Sequence, residues 1–196
     1  MWSQIFYHVW WPGQGNDPMY LANTQMNIDR NNYYLNNYTP HMFTNGKDSG
    51  SNPATWRADP LDMINEITLY EMSSTIQAVG NAYSISISST SLIDTSPNAD
   101  LRLFVALVVD KLTYPESPNG LTTHNDVVVE LISGNAGKKI TFNSSQEKIE
   151  NFEWSFPNPW IDNSIATWDS KKLKAVAWIQ DYNSKQILQV TENHLK

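Results

Sequence analysis

The sequence contains no cysteine, which removes disulfides, thiolate nucleophiles, zinc–thiolate centres and dithiol exchange together. Basic residues are scarce too: 13 Lys and Arg stand against 20 Asp and Glu in 196 residues, a formal charge of −7. No basic run or Lys/Arg stripe interleaved with aromatics occurs, so no nucleic-acid partner is expected. The longest mainly apolar run, Leu103 to Val109, is about a third of the roughly 20 residues a spanning helix needs, so no transmembrane segment is expected. Met1 to Trp11 lacks the basic start of a signal peptide. Pro12-Gly13-Gln14-Gly15 and Gly134-Asn135-Ala136-Gly137 have neither dinucleotide nor P-loop spacing and read as turns. GxSxG, HxH, HExxH and an Asp-rich calcium loop are all missing, so no catalytic residue, cofactor or dedicated metal site is expected.

What is present argues for a folded chain. Aromatic residues make up 12% and include 8 Trp, far from the composition of disorder, and abundant Asn suits turns and caps better than long helices. The chain divides into residues 1–73 and 74–196. Gln4 to Trp10 reads as a buried strand. Asp17 and Pro18 open a helix whose apolar stripe is Met19, Ala22 and Met26, running to about Asn31. Thr39 to Thr44 reads as a short strand closed by Asn45-Gly46, Lys47 to Thr55 as a polar loop, and Asp59-Pro60 as the start of a second helix with Met63, Ile67 and Tyr70 on one face. From Ser74 the period becomes two, with Tyr83, Ile85 and Ile87 alternating with Ser84, Ser86 and Ser88. Strands are expected near Thr75–Val79, Leu101–Val109, Val127–Ile132, Phe152–Phe156, Leu173–Ile179 and Ile187–Val190, with a weaker one at Lys138–Phe142. The fold class is therefore α+β, a β-α-β-α segment followed by an antiparallel sandwich of immunoglobulin-like type.

Three stretches, Leu101 to Tyr114, Thr123 to Gly134 and Lys174 to Val190, resemble the C-terminal half of the outer-membrane-protein-28-related bacterial envelope family. Phe6 to Gly13, Asn16 to Met19 and Tyr38 to Phe43 resemble the second half of that family's thioredoxin-like domain. The resemblance implies a secreted or envelope-associated protein whose residues 1–73 are a partial, redox-dead thioredoxin-like segment lacking the N-terminal half of that domain. It implies that Pro40 matches the proline that is usually cis. It also implies that the strands at Ile5–Val9 and His41–Thr44 lack a central neighbour, so that either the two pair directly or the sheet is completed across a dimer, because unpaired edges recruit another chain.

Among candidate groups, His8 and His41, with Asp17 and Asp48 near in sequence, would need to converge on one cavity to act as a site. Asp59/Asp62 and Glu147/Glu150/Glu153 read as a helix cap and an exposed strand rather than as acid–base pairs. Asn16/Asp17 and Asp94/Asn98/Asp100 could hold a hard cation only weakly. The aromatics Trp10, Trp11, Tyr33, Tyr34, Trp56 and Trp160 are the main lead, as interface or ligand-binding groups. The expected function is non-enzymatic assembly or binding, through a homodimer contact in residues 1–73 or with another envelope protein. The alternative is a glycan-binding module, which requires Tyr33, Tyr34, Trp56 and Trp160 to be exposed and coplanar in one groove.

Overall fold

The computed structural model describes residues 3–11, 13, 15–156 and 160–195, so Pro12, Gln14 and Pro159 lie outside the described residues. Helix α1 (Pro18–Leu21) starts as expected, with the Asp17 carboxylate accepting the Met19 N–H at 2.8 Å. The helix does not continue to Asn31. Asn23 interrupts it and caps α2 (Thr24–Tyr34), its Oδ1 accepting the Met26 N–H, while its Nδ2 donates to Glu130 at 2.9 Å and to the Val129 carbonyl at 3.2 Å. A side chain that caps one helix and ties it to a distant strand outweighs the unbroken periodicity of Met19, Ala22 and Met26.

The expected strand over His41–Thr44 becomes β1 (Met42–Thr44), and the expected loop after it folds back antiparallel as β2 (Lys47–Gly50) around Asn45-Gly46. The second helix starts earlier than Asp59-Pro60. Asn52 accepts the Ala54 N–H at 2.9 Å with Pro53 in the first position, so α3 spans Pro53–Met63 and carries Pro60 inside it. It ends before Ile67 and Tyr70, because Tyr70 already pairs with Ser91 in a sheet.

That sheet contains β3 (Tyr70–Val79), β4 (Ala82–Ser91) and, further on, Glu147–Trp154, in antiparallel order. The expected boundary at residue 73 therefore falls inside β3. The remaining elements are β5 (Leu101–Thr113), β6 (Thr123–Leu131), β7 (Lys138–Lys139), β8 (Glu147–Trp154), β9 (Thr167–Trp168), β10 (Leu173–Asp181) and β11 (Ile187–His194). The larger sheet runs β11-β10-β5-β6, with β7 and β9 each added briefly to β5. The chain is thus mainly β-sheet with a minor helical part.

The apolar runs of β5 and β10 are explained by burial on both faces. Leu103, Val105, Leu107, Ala175 and Ala177 meet Ile76, Ile85 and Ile87 between the two sheets. Phe104, Ala106, Val108, Val176 and Trp178 form a second cluster on the opposite face with Met26 of α2, Val128 and Leu131. Met26 of α2, with Ile5 and Tyr7 packed beside it, accordingly covers the outside of the larger sheet, whereas Met19 of α1 joins the inter-sheet cluster. The segment expected as a strand at Ile5–Val9 makes one parallel bridge, Phe6 to Val127, with the Phe6 N–H on the Asp126 carbonyl at 2.8 Å and the Val128 N–H on the Phe6 carbonyl at 3.0 Å. The edge expected to be open at Ile5–Val9 is thus engaged within the chain, and β1 pairs with β2 rather than with a thioredoxin-like neighbour.

Candidate functional site

Both sequence-adjacent His–Asp pairs form, in separate places. His8 Nδ1 donates to Asp17 at 2.9 Å, and the His8 ring stands 5.7 Å from the His124 ring of β6. Burial works against the Asp17 carboxylate, but the His8 ring and the Met19 and Tyr20 N–H groups outweigh it and hold the carboxyl below its usual range. Burial, then the His8 ring, push His124 below the usual imidazole value. His41 stacks between Tyr38 and Phe43, at 4.1 and 4.4 Å, and its Nε2 meets Asp48 at 2.7 Å. The two histidines thus do not share a cavity. A carboxylate-oriented imidazole can serve as a base only with a group to deprotonate in reach. Among the described residues His8 bonds no hydroxyl, and no three His, Asp or Glu side chains converge as a metal site.

The aromatic candidates are likewise dispersed. Trp160, expected as a loop aromatic open to a partner, is 6% exposed and packs on Phe156 and Trp168 at the end of the inter-sheet core. Tyr33 stacks on Tyr182 at 4.5 Å, Tyr34 tilts on Phe43, and the Trp56 indole donates to the Gly50 carbonyl at 2.8 Å. Trp10 rests beside Tyr20 and Trp11. The four side chains required by a glycan platform do not lie in one groove. The Thr39–Pro40 peptide bond is cis. A cleft of about 240 Å³ between α1 and residues 160–165, lined by Leu21, Tyr114, Trp160 and Asp162 among others, is below the usual size of a ligand pocket.

Arg30, which sequence reading passed over, is the residue around which several of these aromatics are arranged. It is 3% exposed, and its guanidinium lies 4.7 to 5.8 Å from the ring centres of Tyr7, Tyr33, Tyr34, Phe104 and Trp178. Its Nη2 donates to the Tyr34 hydroxyl at 3.3 Å, while Nε and Nη1 are buried without a partner. Burial pushes the neighbouring Tyr7 phenol up to about 12. The available signal was an arginine one turn after Met26 on an otherwise core-facing stripe.

Exposed large apolar side chains follow one another closely on α3 and the residues after it. The helix has two distinct sides. Thr55, Trp56, Asp59, Pro60 and Met63 are half-buried, with the Thr55 hydroxyl on the Ser49 carbonyl at 2.7 Å anchoring this side to the β1–β2 hairpin. Ala54, Arg57, Ala58, Leu61 and Asp62 face solvent, and no side chain of the helix is fully buried. Leu61 is 65% exposed, Ile64 63% and Ile67 92%. Leu69 continues the strip and its carbonyl accepts the Leu92 N–H at 2.9 Å, which brings exposed Leu92 alongside. Among the described residues Arg57, Asp62 and Glu66 make no ion pair within the chain. Exposed aliphatic side chains in close succession, with uncommitted charges between them, have the chemistry of a protein contact.

No protein-family profile matches the chain, and no curated protein matches it. Among solved structures, a domain of the outer membrane lipoprotein Omp28 from Porphyromonas gingivalis is similar at 9% identity over 67% of this chain and 91% of that one, with a TM-score of 0.43. A β-glucosidase from Kluyveromyces marxianus gives 13% identity over 66% of this chain and 14% of its own, with a TM-score of 0.32. A β-glucosidase from Listeria innocua gives 11% identity over 65% and 16%, with a TM-score of 0.28. The chain spans under a fifth of those two enzymes, and TM-scores in this range give the likenesses no weight for fold or function. Among the described residues no helix is long and apolar enough to cross a membrane.

Proposed function

We propose that this chain is a non-enzymatic assembly domain that associates through the solvent side of α3 and the residues that follow it. The observation that carries the reading is the exposure of Leu61 on the solvent side of α3, whose other side packs on the β1–β2 hairpin, followed by exposed Ile64 and Ile67 just past the helix. Leaving three large aliphatic side chains in water forgoes about 1.5–3 kcal/mol each relative to burial, a cost a contact removes. This keeps the homodimer contact within residues 1–73 but moves it from strand edges to α3. The immunoglobulin-like character of residues 70–195 fits the two facing antiparallel sheets, and the secreted or envelope setting rests on the segment resemblance in the sequence. Sedimentation velocity across the micromolar range, on the wild-type chain and on Leu61→Ser/Ile67→Ser, tests the proposal. The wild type is expected to associate and the variant to sediment as a monomer, with melting unchanged at dilutions where both are monomeric. A monomeric wild type, or an equally associated variant, overturns it.

A further inference from the structure

We infer that the occupant of this surface is a second copy of the same chain, docked with the two α3 helices parallel about a two-fold axis, so that Arg57 of each copy faces Asp62 of the other. The inference rests on the homodimer reading above and adds its orientation and register. Ala54, Ala58 and Leu61 follow one another at spacings of four and three residues, which places them in a single stripe on the side opposite Trp56 and Pro60. That spacing is the seam of a two-helix contact, and the two alanines permit close approach of the backbones.

Arg57 and Asp62 flank the seam on opposite sides, immediately before Ala58 and immediately after Leu61. In a parallel pair, opposite flanks of the two helices meet, and a residue on one side faces the residue five positions later on the other side of its neighbour. Arg57 and Asp62 have that separation. They are too far apart along one helix to be natural neighbours, since contacts within a helix join residues three or four apart. Neither has an ion-pair partner among the described residues, so each is available to the second copy. Two-fold symmetry makes the pair twice. An antiparallel arrangement would set like flanks together, Asp62 beside Asp62 and Arg57 beside Arg57, so the charges select the parallel one. Ile64, Ile67 and Leu69, exposed just past the helix, are the apolar groups nearest to it along the chain. An anionic membrane surface is disfavoured by Asp62 and Glu66, and a purely basic partner would leave Arg57 facing like charge.

The test is a charge exchange on the full-length chain, read by sedimentation equilibrium. Arg57→Asp and Asp62→Arg are each expected to weaken self-association about tenfold, because two weak attractions become two repulsions. The double variant Arg57→Asp/Asp62→Arg reverses both partners and is expected to return to wild-type affinity. Both positions are exposed, so melting should be unchanged in each at dilutions where the chains are monomeric. If the single variants associate like the wild type, or the double variant is no better than the singles, the parallel register is wrong. In that case loss of association in Leu61→Ser/Ile67→Ser would still support the surface itself. A wild-type chain that stays monomeric would remove both readings.

Discussion

Arg30 offers a sharp test of what holds α2 on the larger sheet. It is 3% exposed and makes no ion pair with any described carboxylate, and two of its three guanidinium nitrogens lack a partner. Taking such a cation out of water costs several kcal/mol. Five ring faces at 4.7 to 5.8 Å offset this, and a desolvated cation–π contact is worth about 2 kcal/mol. Arg30→Met keeps the length and the apolar stem and removes the charge, so its stability should be unchanged or raised by about 1 kcal/mol. The Tyr34 hydroxyl keeps its bond from Gln180 at 3.0 Å after the change. Arg30→Lys keeps the charge as a compact, strongly hydrated ammonium that cannot lie flat against several rings, and should lose about 3 kcal/mol. At about 2–4 °C per kcal/mol for a chain of this length, the two variants should melt roughly 10 °C apart. Thermal unfolding by circular dichroism, paired with urea midpoints, reads the difference. If Arg30→Met falls as far as Arg30→Lys, the guanidinium bonds rather than the apolar stem hold the helix, and the reasoning fails.

Gly46 has φ +84°, and a Cβ there would stand 1.7 Å from the Lys185 carbonyl oxygen, where the β1–β2 turn docks on the β10–β11 turn. Gly46→Ala should therefore cost about 3 kcal/mol in urea unfolding, whereas Gly80→Ala, with open space around it, should cost about 1 kcal/mol. Loss of the Asn23 cap and its ties to β6 should make Asn23→Ala about 1–2 kcal/mol less stable, measurable by the same method. The folded-state pKa of His124 lies below the unfolded value near 6.5, so the unfolded chain binds the proton more readily. Its contribution is complete above that value and is lost as pH falls through the interval down to the folded pKa. His124→Phe should flatten that part of the stability-against-pH curve, and an unaltered slope would show that His124 does not set it.

The sheets were legible because their signals are local. Ser84, Ser86 and Ser88 alternate with buried Ile85 and Ile87, and the uninterrupted run from Leu103 to Val109 demands cover on both faces. The front of the chain was not, for three reasons. Lys47–Gly50 has no apolar residue to mark it and is held by the turn at Asn45-Gly46 and by the Thr44 and Ser49 hydroxyls at 2.9 Å. Two cap-plus-proline signals, Asn52-Pro53 and Asp59-Pro60, compete, and the first determines the helix. Finally, periodicity reveals an apolar face but not whether anything covers it. Ile67 shares a helix-spaced face with Met63 and Tyr70 in the sequence, yet it lies in solvent in the fold, as do Leu61 and Ile64 beside it. The aromatic candidates misled similarly, since Trp160 follows Asn158-Pro159 yet is drawn into the core by Trp168 and Phe156.

The central claim, that α3 and its continuation form the contact through which this chain associates, is tested most directly on the unaltered protein by amide hydrogen exchange followed from low to high micromolar concentration. Slower exchange confined to residues 53–69 and the adjacent Leu92 turn as concentration rises is the predicted result. Exchange that is independent of concentration there, or slowing that appears instead along β8 or β11, would contradict it.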